Sequence, residues 1–317
     1  MFIHFRISRR PAGHACISLA FAVLLATSHA CRGQSDPVAQ LMAPGPQCAP
    51  SDEGFTALHY AVMEFSLAQL TQAETLILGG ANVNARSKGG ATPLHLAAQL
   101  GNVQAISLLL ANGALVDART VGYTVSGDVG VGMVGDGSGL HTITRRMEVK
   151  CGGFTPLSVA VSNNQLSAAQ MLLDHGADAN TMEQDGAAPL DFAVDGGRKD
   201  LVELLLDHGA NPNPRFGDPF TPLCLAVKKG FPEIAKLLIS HGANPNSMDD
   251  SGDAPIHIAA RAARKDLLEL LVQGGADINL RNGNRRTPLW VVLHDSDASK
   301  AEKEGIAEFL RQHGGRK

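Results

Sequence analysis

Twelve histidines and five cysteines are the residues of this 317-residue chain most able to do chemistry. A histidine can shuttle a proton near neutral pH or bind a metal, and a thiolate can attack or be oxidised. Spacing decides whether any of them does. No His-Glu-x-x-His run and no Ser-His-Asp set emerges. The cysteines at 16, 31, 48, 151 and 224 make neither a Cys-x-x-Cys zinc pattern nor a disulfide framework. Gly130-Val131-Gly132-Met133-Val134-Gly135 matches the Gly-x-Gly-x-x-Gly of dinucleotide sites. That mechanism needs a helix N-terminus just after the glycines, and Asp136-Gly137-Ser138-Gly139 does not open one easily. The expectation is therefore no catalytic residue, no metal and no cofactor.

The histidines are periodic instead. His59, His95 and His257 each follow a short motif: Thr56-Ala57-Leu58, Thr92-Pro93-Leu94 and Ala254-Pro255-Ile256. Thr155-Pro156-Leu157, Ala188-Pro189-Leu190, Thr221-Pro222-Leu223 and Thr287-Pro288-Leu289 continue the ladder, with Ser158, Asp191, Cys224 and Trp290 in the histidine slot. A second ladder runs in phase, from Gly80-Ala81-Asn82-Val83-Asn84 to Gly275-Ala276-Asp277-Ile278-Asn279. His175, His208, His241 and His313 stand just before its glycines, where a cation complements a helix dipole. The steps are about 33 residues, the length of one supersecondary unit.

Each unit reads as two helices. Pro93 suits a first helical turn, and Thr92 can cap it. Leu94, Ala97 and Ala98 make a narrow apolar stripe, and Gly101-Asn102 ends the helix. Val103, Ile106, Leu109 and Leu110 recur at helical spacing, and Gly113 supplies a positive-φ stop. One such unit cannot bury its stripe, so neighbours must stack.

On these motifs the chain resembles the ankyrin repeat family, whose consensus holds Thr-Pro-Leu-His-x-Ala and Gly-Ala-Asp-x-Asn. The resemblance spans 54–317 as seven repeats. It implies an all-α repeat solenoid, a stack of helix-turn-helix units with β-hairpin fingers. It implies that the slot histidines are structural, bonding between neighbouring units, and that the function is non-catalytic binding of a protein partner through the concave face and finger tips. By alignment, the partner-binding candidates are Met63, Glu64, Gln99, Leu100, Met182, Phe216, Lys228, Lys229, Met248 and Arg261. The first-helix strip turns basic at Lys228, Lys229 and Arg261. Cys224 is expected to be a buried small residue, and Trp290 to fill a gap under the last repeat.

Residues 120–152 depart from the period. They carry eight glycines, loosely alternating flanks and a Gly135-Asp136-Gly137-Ser138-Gly139 turn signal, which reads as a long Gly-rich hairpin or loop insertion. Its titratable groups, among them Tyr123, Asp128, His141, Glu148 and Cys151, form no recognisable catalytic set. An enzyme with this insertion as its active loop is the competing reading.

The composition agrees with a repeat scaffold. Aromatics are 4%, which suits a thin aliphatic core and argues against base-stacking platforms. A net charge of −4 argues against nucleic acid as a partner. Length alone permits two domains, whereas repetition accounts for 54–317 as one stack. Arg6, Arg9 and Arg10 precede an uncharged apolar run, and Ser28-His29-Ala30 gives a small-x-small exit. These are the parts of a secretory signal peptide over 1–30, followed by a Pro-rich flexible linker over 31–53. The expectation is an exported monomer, in a bacterial periplasm or secreted. The absence of any Asn-x-Ser/Thr sequon favours the bacterial setting. Cys31 directly follows the cut, so lipidation there would make a membrane-anchored scaffold, although a lipobox usually has Leu where Ser28 stands.

Overall fold

The computed structural model describes residues 54–63, 66–121, 123–135, 140–184, 186–214 and 221–317. The expected signal peptide and linker, with Cys31 and Cys48, lie outside the described residues, as do Glu64, Phe216 and the turn at 136–139. The chain divides into two compact units. One comprises residues up to Pro156 together with Met182–Asp185; the other comprises Leu157–Thr181 and Gly186–Lys317.

The first unit holds α1 (Ala57–Ala61), α2 (Leu67–Leu78), α3 (Pro93–Leu100) and α4 (Val103–Ala111). Each pair is antiparallel by virtue of its short connection, and α3–α4 packs on α1–α2. Gly101 ends α3 at φ 73°, a conformation that costs an L side chain but not glycine. Asn102 then caps α4, its Oδ1 accepting from the Ala105 amide at 3.1 Å, while its Nδ2 donates to Val62 O at 3.2 Å in the preceding pair. Leu58, Leu94, Ala97, Ala98, Ile106 and Leu109 are all buried between the helices. A fully buried leucine contributes about 2 kcal/mol relative to an exposed one, and the alanines let the helix axes approach closely.

After α4 the chain runs into β1 (Tyr123–Gly135) and returns as β2 (Leu140–Cys151). The two pair antiparallel from Tyr123↔Cys151 to Gly135↔Leu140, with a register shift between Gly130 and Gly132. The Gly-x-Gly-x-x-Gly motif thus lies within β1, and the next element is β2 rather than a helix. Among the described residues these are the only strands.

The second unit holds α5 (Pro156–Ser162), α6 (Leu166–Asp174), α7 (Pro189–Asp195), α8 (Lys199–Asp207), α9 (Pro222–Lys229), α10 (Pro232–Ser240), α11 (Pro255–Arg261), α12 (Lys265–Gln273), α13 (Pro288–Asp295) and α14 (Lys300–Gln312). Odd-numbered helices pack on one another in sequence from α7 to α13, and even-numbered ones likewise from α6 to α12. Ala193, Ala226 and Ala259 recur at the inner contact with no exposed surface. In two repeats the residue before the second helix reaches back to the end of the first helix of the preceding pair. Arg198 donates to Val161 O, and the Phe231 ring lies over Gly197.

A ladder of asparagines ties successive repeats together within each unit. Asn180, Asn213 and Asn246 donate from Nδ2 to the carbonyls of Gly209, Gly242 and Gly275, 2.8–3.3 Å away. Each accepts at Oδ1 from the amide of Asn211, Asn244 or Asp277 at 2.7 Å. Asn84 makes the same two bonds to Gly113 O and the Leu115 amide in the first unit. Asn279 closes the series on Gly314 O and the Arg316 amide, which pins the end of the chain. Asn213→Ala removes both bonds while leaving the backbone groups open to water, so a loss of about 1–2 kcal/mol is expected in urea unfolding. Asn213→Asp keeps only the acceptor and is expected to fall between the two. Equal stability of all three proteins would show the ladder to be ornamental.

Candidate protein-binding face

The slot histidines are consumed by the scaffold. The Thr92 amide donates to His95 Nδ1 at 3.1 Å, and the Thr92 hydroxyl is 2.9 Å from the same nitrogen. The proton therefore sits on Nε2, which donates to Phe154 O at 3.0 Å. His59 repeats this with Thr56 and Ala91 O, and His257 with the Ala254 amide and the carbonyls of Leu280 and Arg286. Burial drives the His95 pKa down to about 4 and lowers those of His59 and His257. A neutral, doubly bonded imidazole without exposed surface is neither a base for an external substrate nor a free ligand.

Thr92 forms a capping box with its slot histidine: the Thr92 amide donates to His95 Nδ1, and the Thr92 hydroxyl lies 2.9 Å from the same nitrogen. Where the slot holds Cys224 or Trp290, the hydroxyl of Thr221 or Thr287 accepts from the slot residue's amide instead, at 3.2 and 3.3 Å. Cys224 is fully buried, its Sγ 3.7 Å from Ser247 O, and burial pushes its thiol up to about 12. It is protonated and inert at neutral pH. Trp290 is half-buried, stacked on His294 at 4.4 Å and covered by the Arg286 guanidinium at 4.0 Å, while Leu289, Val291 and Val292 of the same helix are buried.

The histidines before the glycines also make fixed bonds. The Nδ1 atoms of His175, His208, His241 and His313 each approach a carbonyl four residues back, at 2.8–2.9 Å. Nε2 of His208 and His241 reaches Asp174 and Asp207 of the preceding repeat at 3.4 and 3.3 Å. Among the described residues, no three His, Cys, Asp or Glu groups are placed to hold a metal, and no helix is long and apolar enough to cross a membrane.

The aligned candidates are not equivalent once folded. Gln99 is 5% exposed and so does not face a partner, a correction to the alignment. The cause is packing: residues 91–99 are buried throughout, and α3 turns outward only at its last residue. Met63 and Leu100 are half-buried, and so is Met182, whose carbonyl accepts from Arg119 Nη1 at 3.0 Å. Lys228 and Met248 are exposed. Near them, burial raises the pKa of Asp249, and the Lys228 charge acts to lower it against that rise.

The basic strip is partly neutralised. Lys229 Nζ lies 2.7 Å from Asp195 Oδ1 on the preceding first helix. Arg261 Nη1 lies 2.8 Å from Asp253 Oδ2, whose side chain is only 6% exposed. Asp253 Oδ1 also accepts from Asn282 Nδ2 at 2.7 Å. Burial alone would raise the Asp253 pKa, but the bonds from Arg261 and Asn282 outweigh it and hold the carboxyl below its ordinary value. The sequence offered no sign of these pairs: Asp195 stands one repeat before Lys229, and Asp253, at the foot of the helix that carries Arg261, is also reached by Asn282 from the next repeat. The recurrent asparagine of the second ladder, by contrast, was visible as a motif without its role.

Models of the ankyrin repeat match residues 53–88 and 89–121, and a model of three ankyrin repeats matches 138–216 and 214–282. Among characterised proteins, the chain is 30% identical over 135 residues to the B-cell lymphoma 3 protein homolog of Mus musculus, covering 42% of this chain and 24% of that one. It is 39% identical over 72 residues to the RelA-associated inhibitor of Mus musculus, covering 23% and 8%. The chain thus spans less than a quarter of the length of these relatives. Among solved structures, the ankyrin repeat domain of Bcl-3, a member of the IkappaB protein family, superposes with a TM-score of 0.62 at 26% identity. That match covers 82% of this chain and 99% of the other. The human ASB11 ankyrin repeat domain gives 0.58 at 26% identity, covering 83% and 100%.

Proposed function

This chain belongs to the ankyrin repeat family, and we propose that it is a non-catalytic scaffold that binds a protein partner. Proteins of this family are in general protein–protein interaction modules. The observation that carries the proposal is the contrast between the slot and the surface. The described slot histidines and Cys224 are committed to the interior, whereas Lys228 and Met248 stand exposed. An exposed apolar side chain and an exposed charge are groups that a partner can bury, and a few such buried groups dominate most interfaces. We propose that the function is exercised after export, on the strength of the arginine-headed apolar run at 1–30.

The test is capture of partners from the native extract with the full chain, followed by pairwise calorimetry with each partner purified. Lys228→Glu combined with Met248→Ala is expected to weaken a specific partner at least about tenfold, since truncating an anchor costs more than about 1.4 kcal/mol. Both side chains are exposed, so the variant keeps its helix content. Unchanged affinity for every partner would place the binding face elsewhere. A substrate turned over by the purified chain would end the non-catalytic reading.

A further inference from the structure

Three described inter-repeat loops are built on one turn. In the first, the Ser87 amide donates to Ala91 O and the Gly90 amide to Ser87 O, at 2.8 and 2.9 Å. Asp249 with Asp253 and Gly252 repeats it at 2.9 and 2.8 Å, and Asn282 with Arg286 and Arg285 at 3.0 and 2.7 Å. The turn forces a positive φ on its fourth residue. Gly90 and Gly252 adopt it at 77° and 76°, and Gly186 at the corresponding place in another loop at 89°. In the last loop that residue is Arg285, at φ 59°. Two other described non-glycine residues have positive φ, Asn164 and Ala263. Asparagine tolerates that region, and alanine is small. Arg285 is the only charged one among the described residues.

The surroundings hold the strained residue rigidly. Asn282 is buried, and its Oδ1 accepts from the amides of Asn284 and Arg286 at 3.0 and 2.9 Å. Its Nδ2 is anchored on Asp253. His257 Nε2 meets the carbonyls of both Leu280 and Arg286, clamping the two arms of the loop. Arg281 and Arg285 are the residues just beyond that clamp on either arm, and both are exposed. No described residue pairs with either guanidinium, including Asp249 and Asp250 of the preceding loop. Beside them Arg286 is tied to Asp295 at 2.7 Å and lies on Trp290. The stretch 281–290 holds three arginines and no acid, in a chain whose net charge is −4.

Strain over-determined by its neighbours, at an exposed charged residue, points to use rather than accident. We propose that the loop tip at Arg281 and Arg285 docks a carboxylate-rich peptide segment of the partner, with the two guanidinium forks taking carboxylates and Trp290 flanking the bound chain. This rests on the protein-binding reading and names the chemistry of one contact. Arginine suits the role because its planar fork meets a carboxylate with two parallel bonds.

The test uses the full chain and a fluorescein-labelled glutamate-rich decapeptide, read by anisotropy at low salt. Arg285→Gly is expected to raise the melting temperature, because glycine relieves the strain, while weakening the peptide about fivefold or more. Arg281→Ala is expected to weaken it similarly with no change in melting temperature. Raised salt is expected to weaken the wild type more than either variant. Peptide affinity unaltered in both variants would overturn the proposal, and so would a lower melting temperature for Arg285→Gly. Anionic vesicles or a single-stranded oligonucleotide that outcompete the peptide would overturn the choice of partner. Failure here with Lys228→Glu/Met248→Ala still losing its partner would remove this contact alone and leave the scaffold function standing.

Discussion

Lowering the pH from 7 towards 4 is expected to strip about 3 kcal/mol from the unit containing α3 and α4 through His95 alone. The ring is fully buried with both nitrogens bonded, so the folded state holds it neutral and its pKa falls to about 4. The unfolded chain titrates near the ordinary value of about 6.5. Between those values the unfolded state carries the extra proton, so stability is fully present above about 6.5 and drains as pH falls to about 4. His59 and His257 shift in the same direction and add to the slope. Urea unfolding followed by circular dichroism at steps of pH reads this directly. His95→Ala is expected to lose about 3 kcal/mol at pH 7, because it leaves the Thr92 amide and Phe154 carbonyl without their partner and opens a cavity. The same variant is expected to show a shallower slope between pH 6.5 and 4. A slope equal to that of the wild type would mean that other groups carry the acid sensitivity.

Asp253→Ala is expected to cost about 3 kcal/mol, the lower end for breaking a buried ion pair, since Arg261 keeps some contact with water. The carboxylate holds Arg261 on α11 and Asn282 in the next loop, and through Asn282 it holds the turn that presents Arg285. Removing it leaves a guanidinium and an amide without their acceptor at a site only 6% exposed. Thermal melting followed by Trp290 fluorescence measures the loss, because that ring is packed against the same loop by Arg286. Arg261→Met in the Asp253→Ala background is expected to restore part of it, since the orphaned charge goes. A loss below about 1 kcal/mol, or strict additivity of the two substitutions, would show the pair to be a surface decoration. The depressed pKa of Asp253 adds a second, lower window of acid sensitivity. Its contribution is present above the ordinary carboxylate range and disappears as pH falls through the lowered value.

Much of this protein was legible in its sequence. Thr92-Pro93-Leu94 with Gly101 and Gly113 marks where helices start and stop through local backbone chemistry, a proline ring at a first turn and a glycine at a positive φ. Those constraints act within a few residues, so they survive without knowledge of neighbours. The 33-residue step then implies the partner surface, because the same stripe recurs on the next unit. The structural nature of the slot histidines came from family resemblance, and their carbonyl partners give it a mechanism.

What the tertiary structure alone decided is which charges and apolar groups remain available. Alignment put Gln99 on an open face, yet the burial of α3 closes it in. It counted Lys229 and Arg261 as a basic strip, yet Asp195 of the preceding repeat takes the first and Asp253, at the start of its own helix, takes the second. The sequence suggested that Trp290 fills a gap under the last repeat; the structure shows it half-buried and stacked on His294. The strain at Arg285 was equally hidden, since a φ angle is set by hydrogen bonds from Asn282 and not by the residue's own type. Helix ends depend on local dihedral preferences, whereas pairing and burial depend on where side chains lie once loops and helices are packed, and some of those partners, such as Asp195 for Lys229, come from the neighbouring repeat.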